Sequence, residues 1–361
     1  MSLRGLTEEF IAWFTQLRKS QRKTLAAAVF GLMNSRRVGI AAIARGIPGP
    51  VASKHRIKLV DRFLGNERVV IDKAVVPLIN WLCATRKKLF VALDWTDLHD
   101  GVHQVLFASV IAGTRALPVL WRVVEKQNPQ LSQNQEEERL LERLKRLIPL
   151  GTEVIILADR GFGRVELFKR LEELGFGYVI RVSGTAWVES GQFTGVLRSL
   201  PVRIGQLIDF GSVLYQKKER YPVRLIYQFD PEQEEPWFLV TNLDWRPRDI
   251  TSAYGRRMDI EEKFKDFKNL RTGLGLRGVR LSRAGRYERL LLIVVYAYFF
   301  LLLAGAYGES KGYHRQLVAS STTKRRVLGL WQVGYHVFNT LKVKISYPKL
   351  LSFLPSLLPS T

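Results

Sequence analysis

Two short apolar runs that each close on an aspartate constrain this chain more than anything else in it: LFVALD (Leu89–Asp94) and TEVIILAD (Thr152–Asp159). An unbroken apolar stretch of this length, rather than an alternating one, is the pattern of a strand buried on both faces of a sheet. A carboxylate ending such a strand emerges where the chain leaves the core. Between the two runs, HQVLFASVIAG and ALPVLWRVVE read as strands divided near Gly113–Arg115, and Glu136–Ile148 reads as a charged amphipathic helix. Arg164–Leu174 then reads as a helix and GYVIRV (Gly177–Val182) as a strand. The order strand, strand, strand, helix, strand, helix, strand predicts a mixed α/β domain in which adjacent strands bring the two aspartates together.

The flanking segments have a different character. Phe10, Trp13, Phe14 and Leu17 recur at helical spacing, as do Val29, Phe30, Leu32 and Met33, so residues 3–83 read as helices. Ile40–Arg45, the breaker GIPGP (Gly46–Pro50) and a basic stretch Val51–Leu64 fit a helix, a turn and a second helix carrying Lys54, His55, Arg56 and Lys58. Both a helix-turn-helix DNA reader and a plain basic helical bundle match that pattern. Residues 184–235 hold Gly, Pro and strand-like pieces such as VRLIYQF, which reads as a β-rich insertion before the strand PWFLVTN (Pro236–Asn242). Leu290–Gly308 is long and apolar enough to span a membrane; three tyrosines, the small residues Ala304, Gly305 and Ala306, and basic flanks leave both readings open. A helix buried in a soluble core is expected because a single late span has no partner in the rest of the sequence.

Charge separates the same regions. The formal net charge is +23, and its natural counterpart is a polyanion such as nucleic acid. Residues 1–88 hold 17 Lys+Arg against 5 Asp+Glu, residues 89–250 hold 20 against 22, and residues 251–361 hold 19 against 6. A neutral middle between two basic ends predicts a core flanked by segments that grip a phosphate backbone. Cys83 is the one cysteine, which excludes an intramolecular disulfide and a thiolate metal cage and fits a reducing cytosol.

A third acidic candidate lies in YGRRMDIEEKFKDFK (Tyr254–Lys268). On a continuous helix turning about 100° per residue, Arg257, Glu261 and Lys268 fall near 300°, 340° and 320° from Tyr254, sharing one face. Glu262 falls near 80°, off that face. A salt-bridged surface pair, Arg257 with Glu261, would have the same spacing. Cleavage of a phosphodiester with divalent metals, however, needs two or three carboxylates converging on a space of about 4 Å, and Mg²⁺ takes oxygen ligands without needing His or Cys. Asp94, Asp159 and Glu261 suit it. Asp97, His99, Asp100 and His103 crowd the turn after the first strand, where a transition-metal site is an alternative but a polar hairpin turn is expected. Arg160-Gly161-Phe162-Gly163 lacks the lysine of a nucleotide-binding loop.

These residues resemble those of DDE transposases of bacterial insertion sequences, specifically the insertion-sequence-four group with its signature Tyr-x2-Arg-x3-Glu-x6-Lys, here Tyr254, Arg257, Glu261 and Lys268. DWT at Asp94 and ADRGF at Asp159 resemble the group's two aspartate motifs. The resemblance implies a ribonuclease H-like catalytic domain at 89–289 with the insertion at 184–235, an all-helical DNA-binding domain at 1–88 before it and a helical region at 290–361 after it. It implies that Asp94, Asp159 and Glu261 hold two Mg²⁺ ions, with Mn²⁺ able to substitute, and that Tyr254, Arg257 and Lys268 contact phosphates of the transposon end. Trp237 resembles the tryptophan on which such enzymes stack a flipped base; a strand-core position is its other reading. The expected partners are double-stranded DNA, at the terminal inverted repeats and at the target, and a second copy of the chain in a homodimeric synaptic complex. A bacterial cytoplasmic, nucleoid-associated location without a membrane is expected. A nuclease that does not transfer strands, and a domesticated DNA-binding protein that has lost catalysis, are the alternatives.

Overall fold

The computed structural model describes residues 2–98, 100–113, 115–128, 130, 132–191, 193–258, 266–269, 273–318, 327–341 and 344–358. Those residues build one ten-stranded mixed sheet. Its first half is β1 (Lys88–Asp97), β2 (His103–Ala112), β3 (Arg115–Glu125), β4 (Glu153–Ala158) and β5 (Gly177–Arg181), in the spatial order β3-β2-β1-β4-β5. The hairpin strands β1, β2 and β3 are antiparallel, whereas β1, β4 and β5 run parallel. Helix α6 (Gln133–Leu147) makes the crossover from β3 to β4, and α7 (Val165–Glu173) the one from β4 to β5. This is the strand and helix order read from the sequence.

The stretch at 184–235 does not leave the sheet. It supplies β6 (Trp187–Glu189), β7 (Thr194–Val196), β8 (Leu207–Tyr215) and β9 (Tyr221–Gln228). Strand β10 (Trp237–Thr241) pairs antiparallel with both β5 and β9, so it joins the added strands to the first five in one surface. Proline in β3 is tolerated because Pro118 sits opposite Ser109, at the register shift of an edge strand.

Alternation along the strands divides the core into two layers. Leu89, Val91 and Leu93 face one side with Val154, Ile156 and Ala158, and join the main helical core. Phe90 and Ala92 face the other side with Ile155, Leu157, Val179 and Leu239. That second side is covered by the short helix α8 (Pro247–Gly255) through Ile250, Ala253 and Tyr254.

On the first side lie α1 (Leu3–Trp13), α2 (Lys19–Ser35), α3 (Ile40–Gly46), α4 (Ser53–Gly65) and α5 (Ile71–Thr85). They share their core with α9 (Ala284–Ser310), α10 (Leu330–Asn339), α11 (Tyr347–Leu351) and α12 (Leu354–Leu357). The long apolar helix α9 is the axis of this layer. It is the one described helix apolar enough to cross a membrane, and 89% of its most apolar window is buried by protein. Its polar groups find protein partners as well: Tyr296 donates to Ala74 O at 2.7 Å, Arg289 to Leu64 O, and Glu288 O accepts from Trp121 Nε1 at 3.1 Å. Helices α9 and α10 cross so closely that a Cβ on Gly334 would lie 1.8 Å from Leu301 O, and one on Gly305 2.0 Å from Leu330 O. Glycine is the only residue that lets those backbones meet.

Candidate active site

The parallel register fixes where the aspartates stand. Its last pair is Ala92 with Leu157, so two residues further on the same register sets Asp94 opposite Asp159. Strand β5 continues the row, because Ala158 pairs with Ile180 and the next position is Arg181. By parity all three side chains belong to the face that α8 covers. Ligands of open α/β sheets are commonly bound outside the carboxyl ends of parallel strands, which is this edge.

Arg257 lies between the carboxylates. Its Nη2 donates to Asp159 Oδ2 at 3.0 Å and lies 3.7 Å from Asp94 Oδ1. The Arg257 side chain is 10% exposed and that of Asp159 38%, so the arginine is shielded while the carboxylate stays open to water. Asp159 Oδ1 accepts from Gly161 N at 3.0 Å and so caps the turn Arg160–Phe162. Two carboxylates that share one cation, on strands that bring nothing softer than oxygen, form a donor set suited to a hard divalent ion.

The other signature residues reach the same edge by separate routes. Residues 266–268 are helical, and Lys268 Nζ donates to the Thr96 hydroxyl, two residues beyond Asp94. Burial and Arg277 lower the Lys268 pKa, while Asp94 and Asp97 act to raise it. Tyr254 is buried, with its ring centroid 4.8 Å from Trp237 in an edge-on contact. Burial raises its pKa against the opposing influence of Arg257 and Arg181. Trp237 is half-buried at the start of β10, so its ring is part of the wall behind Tyr254.

The structure corrects two expectations. Asp94 does not close its strand: β1 runs on to Asp97 and stays paired with β2 to that residue. Tyr254 and Arg257 do not lie on one continuous α-helix: α8 ends at Gly255, and Arg256–Met258 form a tighter 3₁₀ turn. Glycine weakens the last helical position, and tightening of this kind is common at helix ends. Arg257 nevertheless meets both aspartates. Glu261 and its neighbour Glu262 lie outside the described residues. Among the described residues no group of three His, Cys, Asp or Glu side chains could hold a metal ion.

The hairpin after β1 is a turn, as expected. Asp100 Oδ1 accepts from Val102 N at 2.9 Å and from His103 N at 2.7 Å, and its Oδ2 lies 2.6 Å from His103 Nδ1. Asp97 pairs with Lys126, and His99 lies outside the described residues. On α4, Lys54, His55 and Lys58 are exposed, whereas Arg56 is half-buried and donates to Ile47 O and to Ser53 Oγ at 3.3 Å. Arg56 thus ties α4 to the turn after α3, and α4 packs into the helical layer rather than onto the aspartate face.

Sequence reading missed three residues at this edge. Arg181 ends β5, level with Asp94 and Asp159, and donates to Glu235 at 2.7 Å. Thr96 holds Lys268. Glu137 on α6 is buried and accepts from Trp95 Nε1 at 2.7 Å while its other oxygen lies 2.5 Å from Arg164 Nη1. It therefore straps the residue after Asp94 to the segment after Asp159. Arg181, at the end of an apolar strand, and Thr96, the last residue of the DWT motif, carry a sequence signal; Glu137 carries none.

The profile of the family described as "Transposase DDE domain" matches residues 86–299, a span that contains both aspartates, Arg257 and Lys268. The chain belongs to this family, and membership implies an enzyme of the transposase or nuclease type. None of the curated proteins compared matches it.

Proposed function

We propose that the protein is a cut-and-paste transposase of the insertion-sequence-four group. In this reading it binds terminal inverted repeats, cleaves DNA strands at the element's ends, by way of hairpin ends, and joins them to a target. The observation that carries this is the position of Arg257, whose Nη2 lies 3.0 Å from Asp159 and 3.7 Å from Asp94, at the edge where the parallel register of β1 and β4 sets the two aspartates opposite each other. The strand order β3-β2-β1-β4-β5 supports a ribonuclease H-like catalytic domain at 89–289, extended by the insertion at 184–235. The helices at 1–88 and 290–361 are assigned to DNA binding and to support of the core.

Asp94, Asp159 and Glu261 are assigned to two divalent ions, Mg²⁺ with Mn²⁺ as a substitute, in keeping with the metal use general among DDE transposases. Bound there, such ions activate a water or a 3′-hydroxyl and stabilise the departing oxygen. The chain's own groups do the rest. Arg257 neutralises the two carboxylates until ligands arrive and then faces the scissile phosphate, Lys268 is fixed by Thr96 beside Asp94, and Tyr254 backs Trp237, on which an unpaired base can stack. Exposed Lys54, His55 and Lys58 on α4 are assigned to duplex DNA, with Arg56 holding the helix that presents them. Two ends must be held at once, so a homodimer is the functional form, acting in the bacterial cytoplasm on nucleoid DNA.

The test is cleavage of DNA carrying the element's ends in Mg²⁺ by Asp159→Asn and Glu261→Gln proteins. Loss of cleavage with DNA binding retained is expected; undiminished cleavage in either would overturn the metal-site assignment. Joining of a labelled 3′ end separates a transposase from a nuclease that only hydrolyses.

A further inference from the structure

A separate recess lies on the aspartate face, on the far side of α8 from Tyr254. It is a cavity of about 290 Å³ lined by Lys88, Phe90, Trp245, Asp249, Ser252 and Arg256. Two cations rest on aromatic rings within it: Lys88 Nζ lies 4.5 Å from the Trp245 ring centre and the Arg256 guanidinium 4.7 Å from that of Phe90. Asp249 is engaged by Arg246 at 2.8 Å, and Lys88 is shared with Glu153 at 3.1 Å. Arg256 differs, because its Nη1 is shut off from solvent and has no hydrogen-bond partner. A buried guanidinium N–H without an acceptor is costly, and an anionic oxygen is the group that satisfies it best.

The site is built rather than incidental. Arg224 on β9 donates to Leu243 O at 2.9 Å and Trp245 O at 2.8 Å, which fixes the loop carrying the tryptophan. Phe90 and Asp94 project from the same face of β1, four residues apart, so the cavity lies roughly 13 Å from the carboxylate pair. Arg256 is the immediate neighbour of Arg257.

We infer that this cavity binds a backbone phosphate of the DNA strand whose scissile bond lies at Asp94 and Asp159, with Arg256 and Lys88 on the phosphate oxygens and the sugar against Trp245. The inference rests on the proposed function. The phosphate held is then a few nucleotides along the strand from the bond that is cut. Cations already seated on aromatic rings lose little freedom on binding, so the site is preorganised for such an oxyanion.

The experiment uses the full chain labelled with fluorotryptophan, with the Trp245 fluorine signal identified by its loss in Trp245→Phe. Addition of a random-sequence duplex without metal is expected to shift that signal. In Arg256→Ala the shift is lost, and the slope of log affinity against log salt becomes shallower by about 1, as for one phosphate contact removed. Arg256→Lys restores the slope, and Lys88→Met lowers it independently should Arg256→Ala fail to fold. An unmoved Trp245 signal, or an unchanged slope in folded variants, overturns the inference. So does saturation of the signal by inorganic phosphate with no response to DNA, which marks a free-anion site. If Asp159→Asn abolishes cleavage while the Arg256 variants bind like the parent, the inference alone fails; if Asp159→Asn cleaves normally, the proposed function fails instead.

Discussion

The two faces of the sheet are built by opposite rules. On the helix-covered face, Leu291, Val294, Phe300 and their neighbours on α9 are fully buried, and even the charged Glu137 and Asp100 are only 4% exposed. On the other face a thin apolar layer under α8 gives way, at the strand ends, to Asp94, Asp159, Arg257 and Arg181. The first face supplies stability, because burial at about 25 cal/mol per Å² dominates the folding energy. The second holds like charges close together around one arginine, an arrangement that stabilises the fold little and suits a site waiting for ligands. Substitutions on the two faces should therefore separate stability from activity.

Asp159→Asn should give the largest activity effect, a loss of at least about 1,000-fold in metal-dependent strand cleavage, as for other groups in the reacting shell. Its unfolding free energy in urea should stay within about 0.5 kcal/mol of the parent. A marked loss of stability would show that the carboxylate edge is also a structural element. The counterpart on the other face is Gly334→Val, whose Cβ would collide with Leu301 O. Forcing α9 and α10 apart should cost about 3 kcal/mol in urea unfolding. Cleavage per folded molecule should be unchanged.

How legible each face was in the sequence follows from the same contrast. Strands buried on both sides read as continuous apolar runs, so β1 and β4, and the aspartates that close those runs, stand out. The apolar length of α9 is equally visible, and the lack of a second such span in the sequence is what favours burial. The path from Tyr254 to Arg257 is not visible, because a wheel drawn with one helical period carries no information about the tighter turn at Arg256–Met258. Glu137 looks like an ordinary surface charge of a charged helix, and Arg181 is marked only by closing a short apolar strand. Their importance comes from long-range pairing, Glu137 with Trp95 and Arg164, which no local spacing encodes. The added strands at 184–235 were recognised as β-structure, but their continuity with β5 depends on β10, whose partners the sequence does not specify.

Glu137 offers a way to sharpen the comparison, since it belongs to the helical layer yet holds the segments that follow both aspartates. Burial raises its pKa, while Trp95 and Arg164 hold it down. Glu137→Gln keeps a hydrogen bond to Trp95 but leaves Arg164 without its counter-charge. A stability loss of about 2 kcal/mol is expected. If the strap also positions the carboxylates, the Mg²⁺ concentration for half-maximal cleavage should rise about 10-fold, as for other supporting groups around metal ligands. A pure stability loss with unchanged Mg²⁺ dependence would show the two faces to be independent here.

The smallest effect expected is at the far end of β1. Burial pushes the Asp100 carboxyl up, but the amide and ring of His103, the amide of Val102 and the Tyr287 hydroxyl outweigh it and hold it well below the usual carboxylate range. A carboxylate whose folded pKa is depressed contributes stability above its unfolded value of about 3.9 and loses that contribution as pH falls through this value towards the folded one. Asp100→Asn keeps the acceptor for the two turn amides and removes only the charge, so near neutral pH it should cost about 1.5 kcal/mol. Below about pH 4 the parent should lose this advantage and the two urea midpoints should converge. Because His103 packs 5.1 Å from Tyr287 on α9, this titration is a property of the helix-covered face. Strand cleavage by folded protein should not follow it; if cleavage tracked the Asp100 substitution at constant stability, the turn would have to be counted with the site, and the division between the two faces would not hold along β1.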